Sequence, residues 1–139
     1  MQKQKGFTII ELIVVIAIIA VLATIVMINV TSYIGKSKDA SIKGNMSTIA
    51  STAAGFYDDN KAYTNLVNNT TVLNAWAQIN SLSSDGNNKV FANTTGNWCA
   101  CAKLTGNSSN TYCADSQGYR GESSTACTRC NTTNFVCGS

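Results

Sequence analysis

The chain of 139 residues contains no histidine and no proline, and only 12% of its residues are charged. Without histidine there is no imidazole base, no imidazole metal ligand, and no Ser-His or Cys-His dyad. The commonest catalytic designs are therefore excluded. Without proline, no helix carries a proline break. Soluble domains usually contain about a quarter charged residues, roughly twice the share found here. The net charge of +3 is small and dispersed, which does not describe a nucleic-acid surface. Asn, Ser and Thr are abundant and together make up about a third of the chain. The apolar residues gather near the N-terminus, whereas Cys99, Cys101, Cys113, Cys127, Cys130 and Cys137 all lie beyond Trp98. This asymmetry points to a membrane-inserted front end and an oxidised, exported back end.

The first six residues, Met-Gln-Lys-Gln-Lys-Gly, carry two positive charges. From Phe7 to Ile28 every residue is apolar except Thr8, Glu11 and Thr24. As a helix this stretch would reach about 33 Å, enough to cross a bilayer core. Lys3 and Lys5 precede it, so the positive-inside rule keeps the N-terminus in the cytoplasm and exports the remainder of the chain. The stretch is too long for an ordinary secretory signal, and no small-residue cleavage site comes after it. A plain signal anchor leaves Glu11 unexplained, because a carboxylate in an apolar span is unfavourable and needs a partner.

The run Lys5-Gly6-Phe7-Thr8-Ile9-Ile10-Glu11-Leu12-Ile13-Val14-Val15-Ile16-Ala17-Ile18-Ile19 closely resembles the start of type IV prepilins and of the pseudopilins of type II secretion. The resemblance extends from the start of the chain to about Ile28. It implies cleavage by a prepilin peptidase after Gly6 and N-methylation of the new N-terminal residue, Phe7. Loss of Lys3 and Lys5 would lower the side-chain charge from +3 to +1. It also implies a partner for Glu11, the charged amine of a neighbouring subunit's first residue. An ammonium in the same apolar bundle offsets the buried carboxylate and fixes the register between subunits. Many pilins carry a Gly and then a Pro in this helix, where Ala20 and Ile28 stand here. A more continuous helix is expected.

From Asn29 the pattern becomes amphipathic. Ile42, Met46, Ile49, Ala53 and Phe56 recur at steps of four and three, which places them on one helical face. Lys36, Lys38, Asp39, Lys43, Ser47 and Ser51 fall mainly elsewhere. The helix is expected from about Phe7 to Tyr57, with its apolar stripe against a C-terminal sheet. Gly35, Gly44 and Gly55 weaken it and permit a bend or close packing. Phe7, Tyr33, Phe56, Tyr57 and Tyr63 resemble the aromatic placement discussed for electron-carrying pili, although aromatics at this spacing ordinarily pack.

After Asp58-Asp59-Asn60, residues 64 to 88 read as a connection with one short helix whose buried face holds Val72, Ala75, Trp76 and Ile79. Val90 to Ala92, Gly96 to Leu104, Thr111 to Ser116 and Gly118 to Glu122 read as short strands. Residues 123 to 139 read as irregular. The expected fold class is α+β and pilin-like, a long N-terminal helix packed on a small antiparallel sheet with a disulfide-rich C-terminal segment. The expected organisation is a leader at 1–6, an apolar half-helix at 7–28, an amphipathic half-helix at 29–58 and an exported domain at 59–139.

Cys99 and Cys101 share one strand face and stand about 6.6 Å apart along it. They are poorly placed to bridge each other, and either could reach Cys113 across a hairpin. Six cysteines allow 15 pairings, so connectivity is not derivable. Three disulfides are expected, with Cys127, Cys130 and Cys137 tying down the tail. A redox pair at Cys127-Thr-Arg-Cys130 and a four-thiolate zinc site are the weighed alternatives. The Asp residues are too scattered to assign a calcium site; Asp115 and Glu122 flank a predicted turn, and solvent-facing charges explain them equally well. Glycosylation at sites such as Asn68-Asn69-Thr70 and Asn131-Thr132-Thr133 has no further support.

No enzyme and no cofactor is expected. The expected function is structural, as a subunit of a type IV pilus-like filament that is anchored in the cytoplasmic membrane before assembly. Expected partners are further copies of the chain, prepilin peptidase, and an assembly platform and motor. The alternatives are a type II secretion pseudopilin in the periplasm, a DNA-uptake competence pilin and a plain anchored exodomain. DNA binding would rest on Lys89, Lys103, Arg120 and Arg129, which form no cluster in the sequence.

Overall fold

Proline-free and dominated by apolar residues and alanine, the front of the chain forms one helix, α1, from Ile9 to Asn60. A computed structural model describes residues 6–83, 88–92, 96–106, 109–124 and 126–138. The chain forms two compact units, Met1–Ile34 and Gly35–Ser139, and α1 contributes to both. Helical geometry continues without interruption past Ala20 and Ile28, as expected from the missing breakers.

In the first unit, every described residue from Gly6 to Met27 is exposed. The helix is long and apolar enough to cross a membrane. Such a surface is unfavourable in water, so it requires lipid or other helices around it.

The second unit is built on the rest of α1. A 3-10 turn at Leu66–Asn68 buries Leu66 and leads into α2, Thr70–Leu82. Asn69 caps α2, its Oδ1 accepting from the backbone N–H groups of Thr71 at 2.9 Å and Val72 at 3.4 Å. Four strands come next as an antiparallel meander in the order β1-β2-β3-β4: Lys89–Ala92, Trp98–Lys103, Thr111–Asp115 and Arg120–Ser123. All four expected strands are present, with ends shifted by a residue or two.

One face of the sheet packs on the helices. Ile42, Met46, Ile49 and Ala53 of α1 are fully buried there with Val72, Ala75 and Ile79 of α2. Phe56 and Trp76, expected on the buried faces, are only partly covered. The sheet contributes Trp98, Ala100, Ala102 and Ala114, with Ala100 directly opposite Ala114. The three alanines leave room for the larger α1 side chains, while Trp98 fills one end of the sheet face.

The other face of β2 is equally buried, which strict alternation against a single core does not anticipate. Cys99, Cys101 and Cys113 lie there in a second cluster with Cys130, Cys137 and Phe135. The C-terminal segment covers them. It is not wholly irregular, because Ala126–Arg129 forms one helical turn, α3. The bridges are Cys99–Cys130, Cys101–Cys127 and Cys113–Cys137. The reach from Cys99 or Cys101 to Cys113 is therefore not used. Residues two apart on a strand face are separated by nearly the same distance as residues three apart on a helix. The Cys-x-Cys pair on β2 thus matches the Cys-x-x-Cys pair at α3, and this fit favours a helical turn in the tail.

Candidate assembly site

The N-terminal turn of α1 is closed by two of its own side chains. Thr8 precedes the helix and Glu11 stands three residues on. The Thr8 backbone N–H and hydroxyl each donate to Glu11 Oε2 at 2.8 Å, and the Glu11 N–H donates back to Thr8 Oγ1 at 3.3 Å. This reciprocal cap satisfies donors that a helix start leaves open, and it places a carboxylate at the positive end of the helix. The signal is present in the sequence as Thr-x-x-Glu, although the demand of Glu11 for a charged partner draws attention away from it. Gly6 and Phe7 lie outside the helix, and Phe7 is 86% exposed. Gly6, Phe7 and Glu11 therefore share one short, accessible segment at the head of an uncovered apolar helix.

In the second unit two carboxylates lie where the sequence pattern does not place them. Asp39, expected away from the packed face, is buried. Its Oδ1 accepts from the Thr105 N–H at 2.6 Å and the Thr105 hydroxyl at 2.9 Å, and its Oδ2 accepts from the Gly106 N–H at 3.1 Å. The loop after β2 is held against α1 at this point. A Cβ on Gly106 would stand 2.8 Å from Asp39 Oδ2, and one on Gly35 3.0 Å from the Gly106 Cα. Close packing, rather than a bend, is what Gly35 provides.

Asp115, for which a solvent-facing charge is one of two equal readings, is also buried. Its Oδ1 accepts from the N–H groups of Gln117 and Tyr119, each at 3.0 Å, and its Oδ2 accepts from Cys137 N–H at 2.8 Å. One side chain thus organises the β3–β4 turn, where Gly118 takes φ +91°, and fixes the end of the tail. Its partners are backbone groups, invisible to a reading of side-chain patterns.

Glu122 is a surface charge and pairs with Lys43 of α1. The Lys43 ammonium, with the Asn110 amide at 3.2 Å, holds the Glu122 carboxyl below its ordinary range. The Glu122 carboxylate raises Lys43 in turn. Burial pushes the Tyr63 phenol up. Tyr63 also stacks at a tilt on Tyr57, with ring centroids 5.0 Å apart. Tyr63 packs in the core and Phe56 lies partly covered against it, while Phe7 and Tyr33 stay exposed.

All six cysteines are in disulfides, so no thiolate is available to a zinc ion and Cys127 does not pair with Cys130. No group of three or more metal-ligating side chains occurs among the described residues. Of the basic residues weighed for DNA binding, Lys89 donates to the Cys127 carbonyl at 3.3 Å and Arg129 to the Gly138 carbonyl at 2.9 Å. Both fasten the tail.

Residues 1–27 match the prokaryotic N-terminal methylation motif. This is the class III signal peptide of type IV pilins and pseudopilins. The motif includes Gly6, Phe7 and Glu11 and ends within the exposed apolar part of α1. Pilin-type proteins are structural rather than catalytic. No curated protein and no solved structure matches the chain. The motif, the single apolar helix and the disulfide-bonded sheet together have the character of a membrane-anchored, pilin-like precursor.

Proposed function

We propose that the chain is a structural subunit of a type IV pilus-like filament. The observation that carries this reading is the junction at residues 6–11, where an exposed Gly6–Phe7 bond precedes, and the Glu11 carboxylate stands in the first turn of, a helix with no apolar cover in its own unit. On this reading prepilin peptidase cuts after Gly6, Phe7 is methylated, and the chain waits in the cytoplasmic membrane. A platform and motor then draw it into a fibre, where apolar helices of neighbouring copies replace lipid. The leader is 1–6, and the second unit is the exported head.

Within the fibre, Glu11 faces the amine of a neighbouring Phe7. Breaking one side of an ion pair in apolar surroundings costs about 3–5 kcal/mol. Glu11→Gln keeps an acceptor for Thr8 and removes the charge. It is expected to be processed normally while fibre yield falls by orders of magnitude. Normal yield, measured by electron microscopy of sheared fibres, would sink the ion-pair reading. Substituting Gly6 should abolish the leader-sized shift on a gel, and a shift that persists would contradict the cleavage site. The motif is shared with pseudopilins of type II secretion, and fibres recovered only from the periplasm would favour that role.

A further inference from the structure

The three bridges pair no two cysteines that are neighbours in the sequence. Cys101 and Cys113 are direct partners in the β2–β3 register. Facing residues of an antiparallel pair have Cα atoms about 4.5–5.5 Å apart, inside the range a disulfide spans. The hairpin alone therefore brings together two cysteines that the finished head leaves unbonded to each other. Cys127 and Cys130, three positions apart, are a second such pair. Both loops are far shorter than the separations of 31, 26 and 24 residues that the native bridges close. Shorter loops close at lower entropic cost.

The order of folding favours the same error. The core between helices and sheet uses residues no later than Ala114. The sheet can thus form with Cys99, Cys101 and Cys113 on an uncovered face before the tail arrives.

We propose that the head is a substrate of a thiol–disulfide isomerase in the compartment that receives it, an inference that rests on the export reading for its location. A dithiol oxidoreductase in its disulfide form oxidises the emerging chain, accepting two electrons and two protons per bridge and leaving as its dithiol; this gives Cys101–Cys113 and Cys127–Cys130, and Cys99 is left to pair with Cys137. An isomerase thiolate attacks Cys113 Sγ, forms a mixed disulfide and releases the Cys101 thiolate. Cys101 attacks Cys127 and releases Cys130. Cys130 attacks Cys99 and releases Cys137. Cys137 then attacks Cys113 and releases the isomerase. Each step breaks one S–S bond and forms one, no net electrons pass, and the three native bridges result.

The test uses the full chain, reduced in detergent micelles and then oxidised with diamide alone or with diamide followed by a purified, reduced disulfide isomerase in catalytic amount. Bridged peptides are read by mass spectrometry after non-reducing proteolysis. With diamide alone, most chains should carry Cys101–Cys113 or Cys127–Cys130. Adding isomerase should raise the native triple at least about fivefold, from a statistical floor of one pairing in about 15. An equal native fraction with and without isomerase overturns the proposal. In the Cys113→Ser/Cys137→Ser double variant the hairpin competitor is gone. Diamide alone should then give Cys99–Cys130 together with Cys101–Cys127 more than about fivefold more often than in the parent, beyond the rise from one pairing in about 15 to one in about three that counting alone gives. A rise no larger than that counting factor also overturns the proposal. The experiment needs no cell, so a failure of the export reading would leave its result unchanged and would show separately, as a head recovered in the cytoplasm.

Discussion

The two faces of the four-stranded sheet are held by different physics. Toward α1 and α2 the contacts are Ile, Met, Val and Ala side chains, and the cohesion comes from apolar surface withdrawn from water. Toward the tail, the buried residues are five half-cystines and Phe135. Covalent bonds there replace a hydrophobic layer that a short, Ser-, Thr- and Asn-rich segment could not supply. One face stays packed because leaving it exposes carbon to water, and the other because its chain is tied.

Reduction should separate the two faces most sharply. Removing a native disulfide from a small exported domain costs about 2–5 kcal/mol, and all three close loops on the same side. With excess reductant, amides in residues 126–138 should lose hydrogen-exchange protection while those of Ile42 to Ala53 keep most of theirs. Simultaneous loss in both regions would mean that the faces form one cooperative layer and would break the comparison.

Ile49→Ala addresses the apolar face. Truncating a fully buried isoleucine costs about 2–5 kcal/mol. Denaturant melts should shift by that amount, while peptide mapping still finds the three native bridges. If the bridges scramble, the tail depends on the helix side more than the division allows.

Asp39→Ala comes next. It leaves the Thr105 and Gly106 N–H groups without their acceptor, at about 1–3 kcal/mol. The loop after β2 should gain exchange, and Asp39→Asn should recover part of the loss. Equal stability of the alanine variant in a denaturant melt would show that the latch contributes nothing.

The smallest effect belongs to the Lys43–Glu122 pair, whose side chains are each 39% exposed. Exposed pairs contribute about 0.2–1 kcal/mol, and salt screens them. Glu122 is lowered, so its contribution is present above the ordinary 4.5 and lost as pH falls through the lowered value. Lys43 is raised, so its contribution is present below 10.5 and lost as pH rises through the raised value. A double-mutant cycle should therefore show a plateau between these limits and decline on either side. A coupling that is flat in salt and pH would argue against a charge pair.

The helix-side architecture is legible in the sequence because its causes are local and periodic. The spacing of Ile42, Met46, Ile49 and Ala53 announces a helical face, and the strands announce themselves by turn residues and alternation. The capping role of Glu11 is equally open to view in Thr8-x-x-Glu11. The second core is harder to foresee. Cys99, Cys101 and Cys113 can be read as a shared face, but connectivity is a property of distant chain segments. Asp39 and Asp115 escape a sequence reading for a related reason. Their partners are mainly backbone N–H groups, in the case of Asp39 lying 66 and 67 residues away. No pattern of neighbouring side chains announces such an acceptor.

The bridges also set how far the head can be drawn out. Between Cys99 and Cys137 the main chain takes a long course through the hairpins, but a shorter covalent path crosses the Cys99–Cys130 bond and then runs only from Cys130 to Cys137. Fully extended, that path spans about 30 Å with the bridge included, against about 130 Å for the unbridged chain. A load applied between the start of β2 and the end of the tail therefore meets little covalent slack. However weak the packing around them, these strands can be loosened by such a load but not unravelled.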